Sequence, residues 1–147
     1  MTIEERRSTA IHEAGHVVVA WTLELPVGAM EISVNGDDTA GKSEIDDTAR
    51  ALSLIDRIAL CAAGVVAQRL FGCEATHLHA GWSDFAKMLD ILDNRPDEDA
   101  DNIRFAGYDR AFQILDRRRA LIQHLAEPLA ISGRLEKDDV GSLLGAA

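Results

Sequence analysis

The sequence predicts a mostly α-helical (α+β) domain carrying a small β-hairpin or sheet. Three observations carry that expectation. Long stretches place apolar residues at helical spacing, as in Leu54, Ile58, Ala62 and Val65. One short stretch, Met30 to Val34, alternates Met30, Ile32 and Val34 with Glu31 and Ser33, as a half-buried strand does. The chain of 147 residues, 47% apolar and 27% charged, suits one domain with a single core. No repeat, low-complexity segment or second domain divides residues 1–147.

The first helix is expected from Thr2 to Leu23. Thr2 and Glu5 fit a capping box, and Glu4 and Glu5 suit the positive end of the helix dipole. Ala10, Ala14, Val17, Val18 and Trp21 fall on one face, the expected core contact, opposite the face that carries His12 and His16. Gly15 costs about 1 kcal/mol of helix stability relative to alanine. Such a glycine lets another backbone or a ligand come close.

Pro26 and Gly28 then mark a turn before the Met30–Val34 strand. Asn35-Gly36 is a turn signal, and Lys42 to Ile45 reads as a short return strand. The first strand is expected at the sheet edge, where an extended peptide can add through backbone hydrogen bonds. Thr48 to Phe71 reads as a long helix closed by Gly72, the expected central core helix. Within it Ala62, Ala63 and Gly64 are small enough for close helix packing. A loop from Cys73 leads to a helix capped at Ser83, with Phe85, Met88, Leu89 and Leu92 at helical spacing. A long helix follows from about Ala100 through Ala126, with Phe105, Phe112, Leu115, Leu121 and Leu125 on its apolar side. Pro128 is expected to kink or end it, Gly133 to end the next turn, and Glu136 to Leu144 to form a short last helix.

A net charge of −10 argues against nucleic acid and anionic membrane as partners. Arg117-Arg118-Arg119 is the only basic run and reads as a solvated helix face. The longest apolar run, Ile58 to Ala67, is short of the roughly 20 residues a bilayer requires, so no direct membrane insertion is expected. The acidic, polar N-terminus shows no signal peptide. Two cysteines, Cys61 and Cys73, make no disulfide framework, and a cytoplasmic location with reduced thiols is expected.

The chemistry concentrates in His12-Glu13-Ala14-Gly15-His16, which reads H-E-x-x-H. On a helix His16 lies roughly 40° around the axis from His12, and Glu13 roughly 60° from His16. All three can therefore point at one spot. Two neutral imidazoles supply half of a tetrahedral zinc site, and the carboxylate beside them is placed to take a proton from a water that the metal acidifies. The longer pattern H-E-x-x-H-x-x-G-x-x-H is excluded, because Val19 and Thr22 occupy its later positions. A third ligand must come from elsewhere, and His77, His79 and Asp84 are the candidates in the stretch from Cys73 to Asp84.

A second pattern, Gly36 to Ser43, fits the phosphate-loop signature G-x-x-x-x-G-K-[ST]. It works only between a buried strand and a helix that begins at the Lys-Ser pair. Here the preceding strand alternates, Asp37 and Asp38 repel phosphate, and Asp46-Asp47-Thr48 is the better helix start. Nucleotide binding is not expected.

Four segments carry a family resemblance: TAIHEAGHVVVAW, IALCAAGVVAQRLFG, ATHLHAGWSDFAKMLDIL and YDRAFQILDRRRALIQHLAEPLAISGRLEKDDV. In order and spacing they resemble the peptidase domain of the FtsH family of membrane-bound, ATP-dependent zinc proteases, over nearly the whole chain. The resemblance implies a helical zinc-peptidase fold and a Zn2+ cofactor. It implies His12 and His16 as histidine ligands, Glu13 as catalytic base and Asp84 as third ligand, with His79 the runner-up. The implied activity is that of a zinc metalloendopeptidase acting on peptides or unfolded proteins. The implied partners are further copies of the chain or a separate ATPase. Two departures stand out. The family's ATPase domain and membrane anchors have no counterpart in these residues, and Gln68 and Arg69 stand where the family carries a glutamate pair. The alternative is a non-catalytic zinc-binding regulatory or interaction module. Glu13 favours the enzyme, because a structural site needs ligands and no base.

Overall fold

The computed structural model describes residues 2–35, 38–73 and 78–145, the side chains of residues 34–35, 38–40 and 78–81 excepted. Its first element, α1 (Ile3–Thr22), is the axis around which the other elements pack. The capping box forms as the sequence predicts. The Thr2 hydroxyl accepts the Glu5 N–H at 3.1 Å, and the Glu5 carboxylate accepts the Thr2 N–H at 2.9 Å. The expected one-sided burial does not hold. Every residue from Ser8 to Ala20 is buried, the histidine face included, because α2, α5 and the sheet enclose the helix. α1, and not the following helix, is therefore the central one.

The chain reverses at Leu23 and Glu24, earlier than the predicted turn at Pro26 and Gly28. Glu24 adopts a left-handed φ of 62°, and the Leu25 N–H bonds back to the Ala20 carbonyl at 2.9 Å. Gly28 lies inside β1 (Val27–Asn35), which pairs antiparallel with β2 (Asp38–Ile45) in a register that sets Met30 opposite Ser43 and Glu31 opposite Lys42. The tip of the hairpin, residues 36–37, lies outside the described residues.

The expectation that the first strand is an edge is overturned. A third strand missed in the sequence, β3 (Arg134–Leu135), pairs with β1 through Met30 and Glu31, giving the order β2-β1-β3. Gly133 makes this possible by ending the preceding helix at φ 80°, a left-handed turn that glycine adopts without strain. Arg134 then bonds Glu31 and Glu136 across the new edge. β2 is left as the edge beside α1.

α2 spans Leu54–Leu70 and starts six residues later than predicted. The Asp46 carboxylate accepts both the N–H and the hydroxyl of Thr48, a local turn that competes with helix there. Ser53 is the cap, accepting the Asp56 N–H at 3.1 Å. Gly72 closes the helix in left-handed conformation, as expected. α3 (Leu78–Leu92) begins ahead of Ser83, which lies inside it and is not its cap. Met88 and Leu92 are buried while Phe85 and Leu89 are exposed.

The single long helix expected to follow is two, α4 (Asp97–Asp116) and α5 (Arg119–Ser132), broken at Arg118, whose φ of −126° leaves the helical region. Leu115, Leu121 and Leu125 are buried, but Phe105 and Phe112 are exposed. Pro128 neither ends nor delimits α5. The helix forgoes one N–H bond there because Leu121, Ile122, Leu125 and Leu129 are buried along its length. α6 (Lys137–Gly145) completes the chain, with Val140 and Leu144 buried. Both cysteines are free. Among the described residues no helix is long and apolar enough to cross a membrane.

The small-residue stretch of α2 does what the sequence predicts. A Cβ at Gly15 would lie 2.6 Å from both the Ala63 carbonyl oxygen and the Ala67 Cβ, so α1 and α2 touch where side chains are minimal. Gly15→Ala should therefore lower stability by about 1–3 kcal/mol through overpacking, against the roughly 1 kcal/mol gain that helix propensity alone gives. Urea unfolding of the two proteins checks the sign. A more stable alanine variant would show that the helices are not in contact at this point.

Candidate metal centre

His12 and His16 point from α1 toward Asp84 of α3. The Asp84 Oδ2 lies 2.9 Å from the Nε2 atom of each imidazole, and the two Nε2 atoms lie 3.2 Å apart. The rings meet edge to face, with centroids 4.9 Å apart. Of the three candidates for the third position, Asp84 is the one whose side chain is described, and it lies at the histidine pair. His77 lies outside the described residues. The backbone of His79 falls in the first turn of α3, and its side chain is outside the description.

The far side of each ring is fixed by α2. His16 Nδ1–H donates to the Leu60 carbonyl at 2.9 Å, and His12 Nδ1–H donates to the Gln68 side-chain oxygen at 3.1 Å. Gln68 is itself held, its amide donating to the Ser8 carbonyl at 3.2 Å and to the Ser8 hydroxyl at 3.0 Å. Gln68 stands where the resembled family carries a glutamate. It orients the His12 ring without adding a negative charge. Arg69 is exposed and takes no part. Gly64 completes the support, since a Cβ there would collide with the His12 ring.

These bonds set the tautomers. With both Nδ1 atoms donating, each neutral ring turns an Nε2 lone pair inward, and a carboxylate oxygen meets them. Three electron-rich atoms then face one another at 2.9–3.2 Å in a largely buried place. A proton or a metal ion between them relieves the repulsion. His12, His16 and Asp84 are the group of described residues that could hold a metal ion. The spacing is close to the roughly 3.3 Å between ligands of a tetrahedral zinc with bonds of about 2.0–2.1 Å. A nitrogen, nitrogen, oxygen donor set suits zinc and its first-row neighbours.

The ionisation states agree with this reading. Burial alone would raise the Asp84 carboxyl, but with no metal bound a proton on the facing Nε2 atoms of His12 and His16 makes hydrogen bonds that outweigh it and hold the group well below the usual carboxylate range. Burial would lower His16, and the bond to Asp84 with the charges of Asp84 and Glu13 raises it instead. Cys61, nearby on α2, is pushed up to about 11 by burial and then by Asp84, so it stays a neutral thiol.

Glu13 is buried beside the triad and held by the edge strand. The Ser43 hydroxyl donates to its carboxylate at 2.5 Å. Gly41 leaves the space the carboxylate fills, since a Cβ there would collide with it. The sequence pattern had marked Gly41 and Ser43 as part of a phosphate-loop signature, and Ser43 also as part of the return strand, but neither as a neighbour of Glu13. The signal for their actual place is the strand period, which puts Gly41 and Ser43 on one face of β2. Lys42 and Ser43 stand on a strand, and no helix begins there. The triad, Glu13, Lys42 and Lys87 border one cleft of about 280 Å³ between α1, α2, α3 and β2.

Set against protein-family models and against curated proteins, the chain matches none, so the family resemblance rests on the quoted motifs alone.

Metal binding must displace a proton wherever a histidine is charged. Because His16 is raised above 6.5, affinity should be full at alkaline pH and fall as pH drops through that raised value, by about tenfold per pH unit for each proton displaced. Gln68→Leu should weaken binding about 10- to 100-fold by releasing His12 Nδ1–H. A competition titration with a chromophoric chelator across neutral pH reads both. An affinity independent of pH, or unchanged in Gln68→Leu, would refute the hydrogen-bonded tautomers assigned here.

Proposed function

We propose that the protein is a zinc-dependent endopeptidase acting on peptides or unfolded polypeptides. One observation carries the reading. A convergent donor set of His12, His16 and Asp84 shares a cleft with a buried carboxylate, Glu13, that is not itself among the grouped metal-holding residues. A purely structural site has no use for that carboxylate. The motif resemblance to the FtsH peptidases supports the same assignment.

In this reading His12, His16 and Asp84 hold the ion and α2 orients both rings. Zinc supplies Lewis acidity when bound, polarising a carbonyl and acidifying water. Glu13 takes the proton of the attacking water as the new C–O bond forms and gives it to the leaving amine as the C–N bond breaks. The Ser43 hydroxyl, donating to Glu13, fixes the orientation of its carboxylate. β2 offers its unpaired edge beside the cleft, so an extended peptide can align there by backbone hydrogen bonds.

Glu13→Gln should retain zinc and lose casein hydrolysis by about 10²–10⁴-fold, while Asp84→Ala should lose the metal itself and His79→Ala should keep it. Metal analysis beside a cleavage assay, with and without chelator, separates these. A wild-type protein that holds zinc and cleaves no peptide favours the non-catalytic module instead. Metal loss in His79→Ala but not in Asp84→Ala would overturn the ligand assignment.

ATP is expected neither to bind the chain nor to stimulate cleavage. A phosphate loop aims backbone N–H groups and a helix start at phosphate. Here Lys42 and Ser43 lie in β2, and the Ser43 hydroxyl is engaged by Glu13. Calorimetry with Mg-ATP checks this, and micromolar binding abolished by Lys42→Ala would defeat it.

A further inference from the structure

A second cavity, of about 570 Å³, opens between the end of α1 and the C-terminal half of α4. Thr22, Arg110, Gln113, Ile114, Arg117 and Arg118 line it. Arg110, Gln113 and Arg117 recur three and four residues apart, so they form one stripe of α4. We propose that this pocket binds an oxyanion of the phosphate type.

The lining of this pocket is basic although the chain as a whole is acidic. The chain carries 25 acidic and 15 basic residues, yet three arginines line this pocket and no acid does. Some arginines elsewhere pair with carboxylates, as in Arg50–Glu24, Arg104–Asp101 and Arg119–Asp116. Arg117 and Arg118 have no carboxylate partner among the described residues. Arg110 gives only its Nε to Asp56, at 3.3 Å, which leaves both terminal amino groups for the pocket.

The donors are also held in place. The Arg118 guanidinium stacks on Trp21, 4.9 Å from the ring centroid, so its plane is fixed while its N–H edge stays available. Guanidinium forks match the paired oxygens of a phosphoryl group. A carboxylate offers one oxygen pair and a single charge, and should bind more weakly.

The full chain, stripped of metal by chelator so that the triad cannot take up phosphate, is titrated with inorganic phosphate against potassium chloride of equal ionic strength. Trp21 is the reporter in a Trp82→Phe background, and calorimetry is the second readout. Saturable binding is expected, weaker with acetate. Arg117→Gln, an exposed change that leaves the Trp21–Arg118 stack intact, should raise the Kd about tenfold, and Arg104→Gln should not. Phenyl phosphate tells the sources apart: tighter binding than inorganic phosphate marks a phosphate ester as the ligand, weaker binding marks the free ion. A response that chloride reproduces, or that survives unchanged in Arg117→Gln with Arg118→Gln, overturns the proposal. None of these outcomes depends on the zinc reading.

Discussion

The contact on which the candidate site depends is the close approach of α1 and α2. His16, the later histidine, bonds Leu60, the earlier residue of α2, and His12 bonds Gln68, the later one. The two helices therefore run antiparallel past each other, and the bonds fall on either side of the crossing. At the crossing Gly15 faces Ala63 and Ala67, and Gly64 lies against the His12 ring. Larger residues at these positions would push the helices apart by a methyl group or more. The hydrogen bonds tolerate no such shift, because bonds of about 3 Å weaken steeply when stretched. The roughly 1 kcal/mol that each glycine costs a helix is the condition for two oriented imidazoles.

Those orientations have an electrostatic consequence. Two lone pairs and an ionised carboxylate converge where little water reaches. Without a positive charge the cluster repels itself. The rise of His16 and the fall of Asp84 are the signs of a proton filling that role in a site with no metal. A divalent ion would fill it more completely, and would join α3 to α1 through Asp84. Metal binding in such a place is linked to folding, since the unfolded chain does not hold the three ligands together. Asp84 also moderates the charge. One carboxylate and two neutral imidazoles leave a divalent site with a single net positive charge, set inside a chain of net charge −10.

What the sequence made legible follows the range of the interactions involved. The capping box of Thr2 and Glu5 and the glycine ends at Gly72 and Gly133 depend on neighbours a few residues away, and all appear where expected. Helix starts at Thr48 and Ser83 were misplaced because each has a good capping side chain whose use is decided by competitors. Asp46 captures Thr48, and at Ser83 the helix has already begun. β3 was invisible, being two residues long, with its only support in β1 a hundred residues earlier in the chain. Amphipathicity misled on α1 for a related reason. A helix enclosed on all sides can bury polar residues that bond to its neighbours, and His12, Glu13 and His16 do so. H-E-x-x-H brought two candidate ligands together because helical period alone puts them on one face. Asp84 needed tertiary structure or a family pattern, since nothing local distinguishes it from His77 or His79.

The edge strand illustrates how context decides the chemistry of one stretch. Gly41, Lys42 and Ser43 have the small and polar side chains that a phosphate loop needs, but they lie in an extended strand that passes over a buried carboxylate. In that setting the same properties serve a different end. Gly41 is small so that Glu13 fits beneath it, and Ser43 carries a hydroxyl so that the buried carboxylate has a donor. A buried carboxylate with no donor would protonate or unfold its surroundings. Replacing Ser43 by alanine would therefore act on Glu13 before it acted on anything else in the cleft. Because β2 is the outer strand, the backbone that supports Glu13 from one side presents its free edge on the other. Sheet order, set by the two-residue β3 on the far side of β1, thus decides which strand faces the cleft with unpaired hydrogen-bonding groups. The donor to the buried carboxylate and the open strand edge are consequences of one placement.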